Sequence, residues 1–66
     1  MHHPSPGRYL RRVNGYGDCW YCNETVVAPY LFEIVDPDTR EPMRVSVCRK
    51  RLCRESAEEG SFHRLD

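Results

Sequence analysis

The sequence has no apolar stretch of membrane length. Its longest run, Val26 to Phe32, is interrupted by Pro29 and falls far short of the roughly 20 residues that a spanning helix needs. The opening residues, Met1-His2-His3-Pro4-Ser5-Pro6, lack the apolar segment of a secretory leader. The chain therefore reads as soluble and cytoplasmic. Net charge is missing too. Ten basic and ten acidic residues cancel, so the overall charge selects no partner. Glycine is scarce, with four in 66 residues, and none of it forms a phosphate-cradling loop. No spacing joins a nucleophile to a base. Asp36 and Asp38 lie in a Pro-rich turn where capping accounts for them, and His63 stands alone. The chain is expected to be non-catalytic.

Apolar content is also short. Only 39% of the residues are apolar against 30% charged, and the mean hydropathy is −0.73. A chain of 66 residues gains at most roughly 3–5 kcal/mol from one core, so folds of this size are usually stapled.

The four cysteines are the candidate staple. They fall in two pairs, Cys19-Trp20-Tyr21-Cys22 and Cys48-Arg49-Lys50-Arg51-Leu52-Cys53, with 25 residues between them. Three chemistries suit such pairs. Disulfides need an oxidising compartment, and no export signal accompanies these cysteines. A redox CxxC opens a helix in a larger βαβ fold, whereas Trp20-Tyr21 followed by Asn23 suits a turn. The third, one structural Zn²⁺ held by Cys19, Cys22, Cys48 and Cys53, fits best: four thiolates from two close pairs form a tetrahedron. On one regular helix, Cys48 and Cys53 would point about 140° apart at 3.6 residues per turn. Cys48 therefore belongs at a strand end or bend and Cys53 in the first turns of a helix. If that arrangement fails, His63 is the alternative fourth ligand. His2 and His3 belong to a floppy start.

The remaining elements follow from local chemistry. Residues 1–17, with Pro4, Pro6, Gly7, Gly15 and Gly17, read as a flexible basic arm ahead of a single zinc-binding domain, 18–66. Asn14-Gly15 is a tight-turn signal able to close a short hairpin. Val26 to Val35 is the strongest strand candidate, with Pro29 marking an edge or a start. Asp36 to Pro42 is turn chemistry, and Met43, Val45 and Val47 alternate onto one strand face. The two runs are expected to pair as an antiparallel hairpin. From Cys48 or Arg49 to Glu59 the residues favour a helix, with Gly60 as its C-terminal cap. Leu52, Ser56 and Glu59 share one side, with Cys53 and Ala57 beside them. Phe62 and Leu65 are expected to fold back as a last apolar contact.

A CxxC turn, a hairpin, a cysteine at its end and a helix carrying the last cysteine is an order that resembles the treble-clef zinc fingers. The resemblance covers residues 18–60. It implies a small metal-stabilised α+β domain with Cys19 and Cys22 as knuckle ligands and Cys48 and Cys53 as the helix-side pair. The four-residue spacer in CxxxxC departs from the usual two. A zinc ribbon is the alternative architecture. Some treble clefs are nucleases, but these carry a histidine-centred catalytic motif that His63 alone does not supply.

Charge is arranged in blocks. Residues 1–17 carry +3, 18–41 carry −5, 42–54 carry +5 and 55–66 carry −3. Arg49, Lys50, Arg51 and Arg54 at a helix start, with Arg8, Arg11 and Arg12 on the arm, suit phosphate. Tyr9, Trp20 and Tyr21 offer stacking surface for unpaired bases. The same cations also have a structural explanation, because Zn²⁺ with four thiolates is a dianion that needs donors around it. The favoured function is a zinc-stabilised module contacting nucleic acid or a protein of the transcription, translation or replication machinery. A protein-only adaptor using Trp20, Tyr21 and Tyr30 or a strand edge is the alternative, and a thiol redox or metal sensor the third reading. No membrane or small-molecule substrate is expected.

Overall fold

The computed structural model describes residues 6–64; His2, His3 and the fold-back expected of Leu65 lie outside them. It is a small α+β chain in which two antiparallel sheets precede one short helix. The strands are β1 (Arg8–Arg12), β2 (Tyr16–Asp18), β3 (Thr25–Val27), β4 (Tyr30–Val35) and β5 (Pro42–Val47), followed by α1 (Arg51–Glu59). The first sheet has the order β1-β4-β5, and β2 pairs with β3 in the second.

The β4–β5 hairpin follows from its side-chain pattern. Tyr30 pairs with Val47, Phe32 with Val45 and Ile34 with Met43, so the alternating apolar residues of both strands share one face. Phe32, Ile34, Val45 and Val47 are buried there and meet Cys53 and Ala57 of α1 in one core. The connecting turn is held by the Asp36 carboxylate, which accepts from the Asp38 N–H at 2.8 Å, an Asx-type turn. Arg40 completes it at φ 61°.

The run expected as one strand, Val26 to Val35, is two strands in different sheets. Ala28 adopts φ 49° between them, and Pro29 follows without an N–H. The break is clamped from the N-terminal side. Arg12 donates through Nε and Nη2 to the Ala28 carbonyl at 3.2 and 3.0 Å, and Ala28 N–H donates to Gly15 O at 2.6 Å.

The stretch expected as an arm also contains sheet. Arg8–Arg12 is β1, antiparallel to β4 with an irregularity between Tyr9 and Arg11, and Tyr16–Asp18 is β2. Asn14-Gly15 does not close a hairpin between them, since β1 and β2 belong to different sheets. Gly15, at φ 114°, instead turns the chain from one sheet to the other. Before β1, Gly7 lies directly on the helix end. Its N–H donates to Glu58 O at 3.0 Å, and a Cβ there would meet Ala57 O.

Helix α1 begins at Arg51, later than the Cys48–Arg49 start expected from composition. It ends in a Schellman arrangement: Gly60 at φ 76° donates to Ala57 O and Ser61 N–H donates to Ser56 O. Its buried side chains are Cys53 and Ala57. Leu52, grouped with the apolar stripe above, is 69% exposed; the sheet takes the small side chains and leaves the large one to solvent. Among the described residues no helix is long and apolar enough to cross a membrane.

Candidate metal centre

The first pair of cysteines sits at the tip of the β2–β3 hairpin. Cys19 N–H donates to Glu24 O and Asn23 N–H donates to Cys19 O, both at 2.8 Å. Asn23 takes φ 63°, a left-handed conformation that asparagine tolerates well, and this curls Cys22 back toward Cys19. The two residues between the cysteines dock the knuckle. Trp20 N–H donates to Ser46 O on β5 at 2.8 Å. The Tyr21 hydroxyl donates to Ser61 O at 2.6 Å, and the Trp20 indole N–H donates to Phe62 O at 3.0 Å. The segment after α1 is thereby strapped to the knuckle, and the Phe62 ring packs tilted against Trp20, centroids 5.5 Å apart.

The second pair comes from the other side. Cys48 directly follows β5, and Cys53 is the third residue of α1, so the four-residue spacer is spent on a bend and the helix start. All four sulfurs lie within 4.8 Å of one another. Cys22 and Cys48 Sγ are 3.6 Å apart, and all four thiols are free. A tetrahedron with metal–sulfur bonds of about 2.3 Å has edges of about 3.8 Å, so the donor set fits one metal ion. Cys19, Cys48 and Cys53 are buried and Cys22 partly so. His63 is exposed beside Phe62 and is not a member of the cluster.

The thiols influence each other's protons. Burial raises Cys19, but the N–H groups of Cys48, Cys22 and Tyr21 aimed at its sulfur outweigh this and bring it down to about 7. Burial and the neighbouring sulfurs hold Cys53 well above the ordinary thiol value. Cys48 is also raised, chiefly by burial, although the Lys50 N–H opposes this. Tyr21 is pushed up to about 12 by burial and by negative charge at Cys19 and Cys53. Concentrated thiols that resist joint ionisation are the setting in which a divalent cation is most favourable.

No family model, curated protein or solved structure matches the chain.

Around the cluster the basic residues divide by role. Helix α1 has no acidic residue in its first turn and no side-chain cap at Lys50, and Cys53 places a sulfur of the cluster near its positive end. Lys50 Nζ bonds Glu24 Oε1 at 2.7 Å, joining the helix start to the knuckle loop; that contact raises the Lys50 pKa. Arg51 pairs with Glu55 at 3.0 Å. Arg49, just before Lys50, is exposed, and Arg8 and Arg11 are exposed on β1. Arg12 and Arg54 both lie over the Tyr30 ring, at 5.2 and 5.5 Å. The proposed aromatic surface is corrected at one position: Tyr21 is 1% exposed and its ring is core, unable to stack on a ligand. Trp20 is half-buried, with Arg64 over its ring at 4.7 Å. The Glu24–Lys50 tie and the Gly7 contact escaped the sequence reading because both join residues far apart in the chain. The clustering of Arg12 and Arg54 on Tyr30 escaped it for the same reason.

Proposed function

We propose that the chain is a non-catalytic module built on one structural Zn²⁺ in a treble-clef arrangement. The observation that carries this is the convergence of four sulfurs within 4.8 Å, three of them on buried cysteines. A thiolate-only tetrahedral set suits zinc or a single iron. Cysteines that bind separate irons of a cluster stand farther apart. Four protein ligands leave no position for an activated water, which supports a structural role over a catalytic one. The treble-clef reading draws support from the knuckle hairpin β2–β3, the β4–β5 hairpin and the helix that supplies Cys53.

The module's work is contact with nucleic acid or a nucleic-acid-processing machine. Support comes from exposed cations: Arg49, Lys50, Arg51 and Arg54 at the helix start and Arg8, Arg11 and Arg12 on β1. Among the described residues, Lys50 and Arg51 side chains are held by exposed ion pairs, which are worth little and exchange readily for phosphate. A protein-only adaptor has its own supporting observation. Tyr16 and Val27, 77% and 58% exposed, are paired across the β2–β3 hairpin and form an apolar end.

Native mass spectrometry in reducing buffer, with and without a chelator, tests the metal: one zinc per chain is expected, and a folded, metal-free chain overturns it. For the partner, binding to single-stranded and duplex oligonucleotides is expected to weaken steeply with salt. Unchanged affinity when Arg49, Lys50 and Arg51 become alanine removes the helix start from the interface.

A further inference from the structure

One well-formed groove lies away from the cysteines, between β1 and α1. It encloses about 460 Å³ and is lined by Gly7, Tyr9, Tyr30, Phe32, Arg54 and Glu58, within the range of pockets that hold small molecules. The strand register builds its floor. Tyr9 pairs with Phe32 and Arg12 with Tyr30, so these four side chains share one sheet face. Tyr9 meets the Tyr30 and Phe32 rings edge-on at 5.9 and 5.6 Å and remains 50% exposed. A half-open aromatic ring on a packed aromatic base is a stacking platform.

Charge decides what stacks there. Three aromatic rings with a carboxylate would also describe a cage for a cation. Here the Tyr30 ring already carries two guanidinium groups, Arg12 and Arg54, and a cationic ligand would be repelled. Arg12 spends two donors on the Ala28 carbonyl. Among the described residues Arg54 has no side-chain hydrogen-bond partner, so its fork is available to an anion. Glu58 lies one helical turn beyond Arg54 and repels phosphate from its own end of the groove. Its carboxylate accepts hydrogen bonds and suits a base edge that donates them. Guanine offers two adjacent donors, N1–H and the N2 amino group, that match the two oxygens of a carboxylate. Uracil offers mainly carbonyl acceptors.

The geometry points to a nucleotide subsite in this groove: one unpaired guanine stacks on Tyr9 with its donor edge at Glu58, and the strand's phosphate lies at Arg54. This rests on the nucleic-acid reading above and gives it an address that shares Arg54 with the helix-start cations and adds the Tyr9 face and Glu58.

The test uses the zinc-loaded full chain and fluorescently labelled eight-nucleotide RNAs of adenine carrying one central guanine or one central uracil. The guanine RNA is expected to bind at least about fivefold tighter. Tyr9→Leu keeps an apolar side chain but no flat ring, and is expected to weaken both RNAs at least about fivefold. Arg54→Ala lowers the salt dependence by about one phosphate contact. Glu58→Gln abolishes the guanine preference while retaining the adenine background. Unchanged zinc content and Trp20 emission certify the fold of each variant; if Tyr9→Leu fails this check, the guanine preference and its loss in Glu58→Gln decide. Wild-type affinity in Tyr9→Leu and Arg54→Ala overturns the subsite and leaves the contact through Arg49, Lys50 and Arg51 standing. Absence of RNA binding by the wild type at low salt removes both. Equal affinity for an octaglutamate peptide assigns the groove to an acidic protein and overturns the proposal.

Discussion

Cys19 and Cys53 hold sulfurs within 4.8 Å of each other, yet they hold their protons very differently. In the metal-free chain Cys19 titrates near 7 because three N–H groups meet its sulfur against the effect of burial. Cys48 and Cys53 are raised above the ordinary thiol value of 9.0. A metal ion binds only thiolate, so it must displace whatever protons remain. Near pH 8 Cys19 is already ionised, and the protons on Cys48 and Cys53 must leave. Near pH 6 Cys19 adds its own. Metal affinity therefore falls as pH falls, and the fall steepens by about one proton per ion below pH 7. Titration calorimetry in buffers of different ionisation enthalpy measures this count; release that stays constant across that range contradicts the assignment at Cys19. A second residue-scale prediction concerns Tyr21. Tyr21→Phe deletes the 2.6 Å bond to Ser61 O while keeping the ring in the core. It is expected to cost about 1 kcal/mol, a lowering of Tm by about 4–8 °C, with zinc stoichiometry unchanged.

Elements built from local chemistry were readable in the sequence, and elements built from distant contacts were not. The β4–β5 hairpin was legible because Phe32, Ile34, Val45 and Val47 alternate and Asp36 to Glu41 favour a turn, although Pro42, read as part of that turn, already opens β5. Gly60 announced the end of α1. The cysteine pairs pointed to a cluster, and the angle between positions 48 and 53 on a helix required the bend the structure contains. By contrast β1 carries three arginines among five residues, and nothing local marks it as a strand. Its partner β4 lies beyond two other strands. The division at Ala28 was hidden because its φ of 49° is imposed by Arg12 and Gly15, not by alanine itself. Burial of Tyr21 likewise depends on Ser61, 40 residues away. Gly7 tests whether β1 is integral. A Cβ at this position would collide with Ala57 O, backbone that cannot swing aside. Gly7→Ala is expected to push the N-terminal segment off α1, lose the bond to Glu58 O and cost about 1–3 kcal/mol. Amide exchange reads the effect element by element: faster exchange in β1 with β2–β3 protected is the expected pattern. Unchanged exchange in β1 would mean that its pairing with β4 does not need the helix contact.

At the scale of the whole molecule, the core itself contains the candidate metal ligands. Of the nine buried residues in the core cluster, Cys19, Cys48 and Cys53 are three. Removing an ion from them does more than delete four bonds. It leaves thiols and thiolate packed against Ile34, Val47 and Ala57 in one cluster, with unneutralised charge in the interior. The β2–β3 hairpin shares that core: Tyr21 is buried in it, and Trp20 and Val26 pack against it. The Trp20–Ser46 bond, the strap at Ser61 and Phe62, the Gly15–Ala28 turn and the exposed Lys50–Glu24 pair join it further to the rest. A body of 66 residues with so small an apolar core lies near the limit at which folding needs a staple. Chelation under reducing conditions is therefore expected to unfold the chain as a unit rather than loosen the knuckle alone. Trp20 is the single tryptophan and packs on Phe62 across the strap, so its emission reports the knuckle; amide dispersion in β4 and β5 reports the sheet. Both should collapse together on adding chelator and return together on adding zinc. Collapse of the Trp20 signal with β4 and β5 intact would mean that the three-stranded sheet and helix fold without metal, and that zinc organises only the hairpin docked against them.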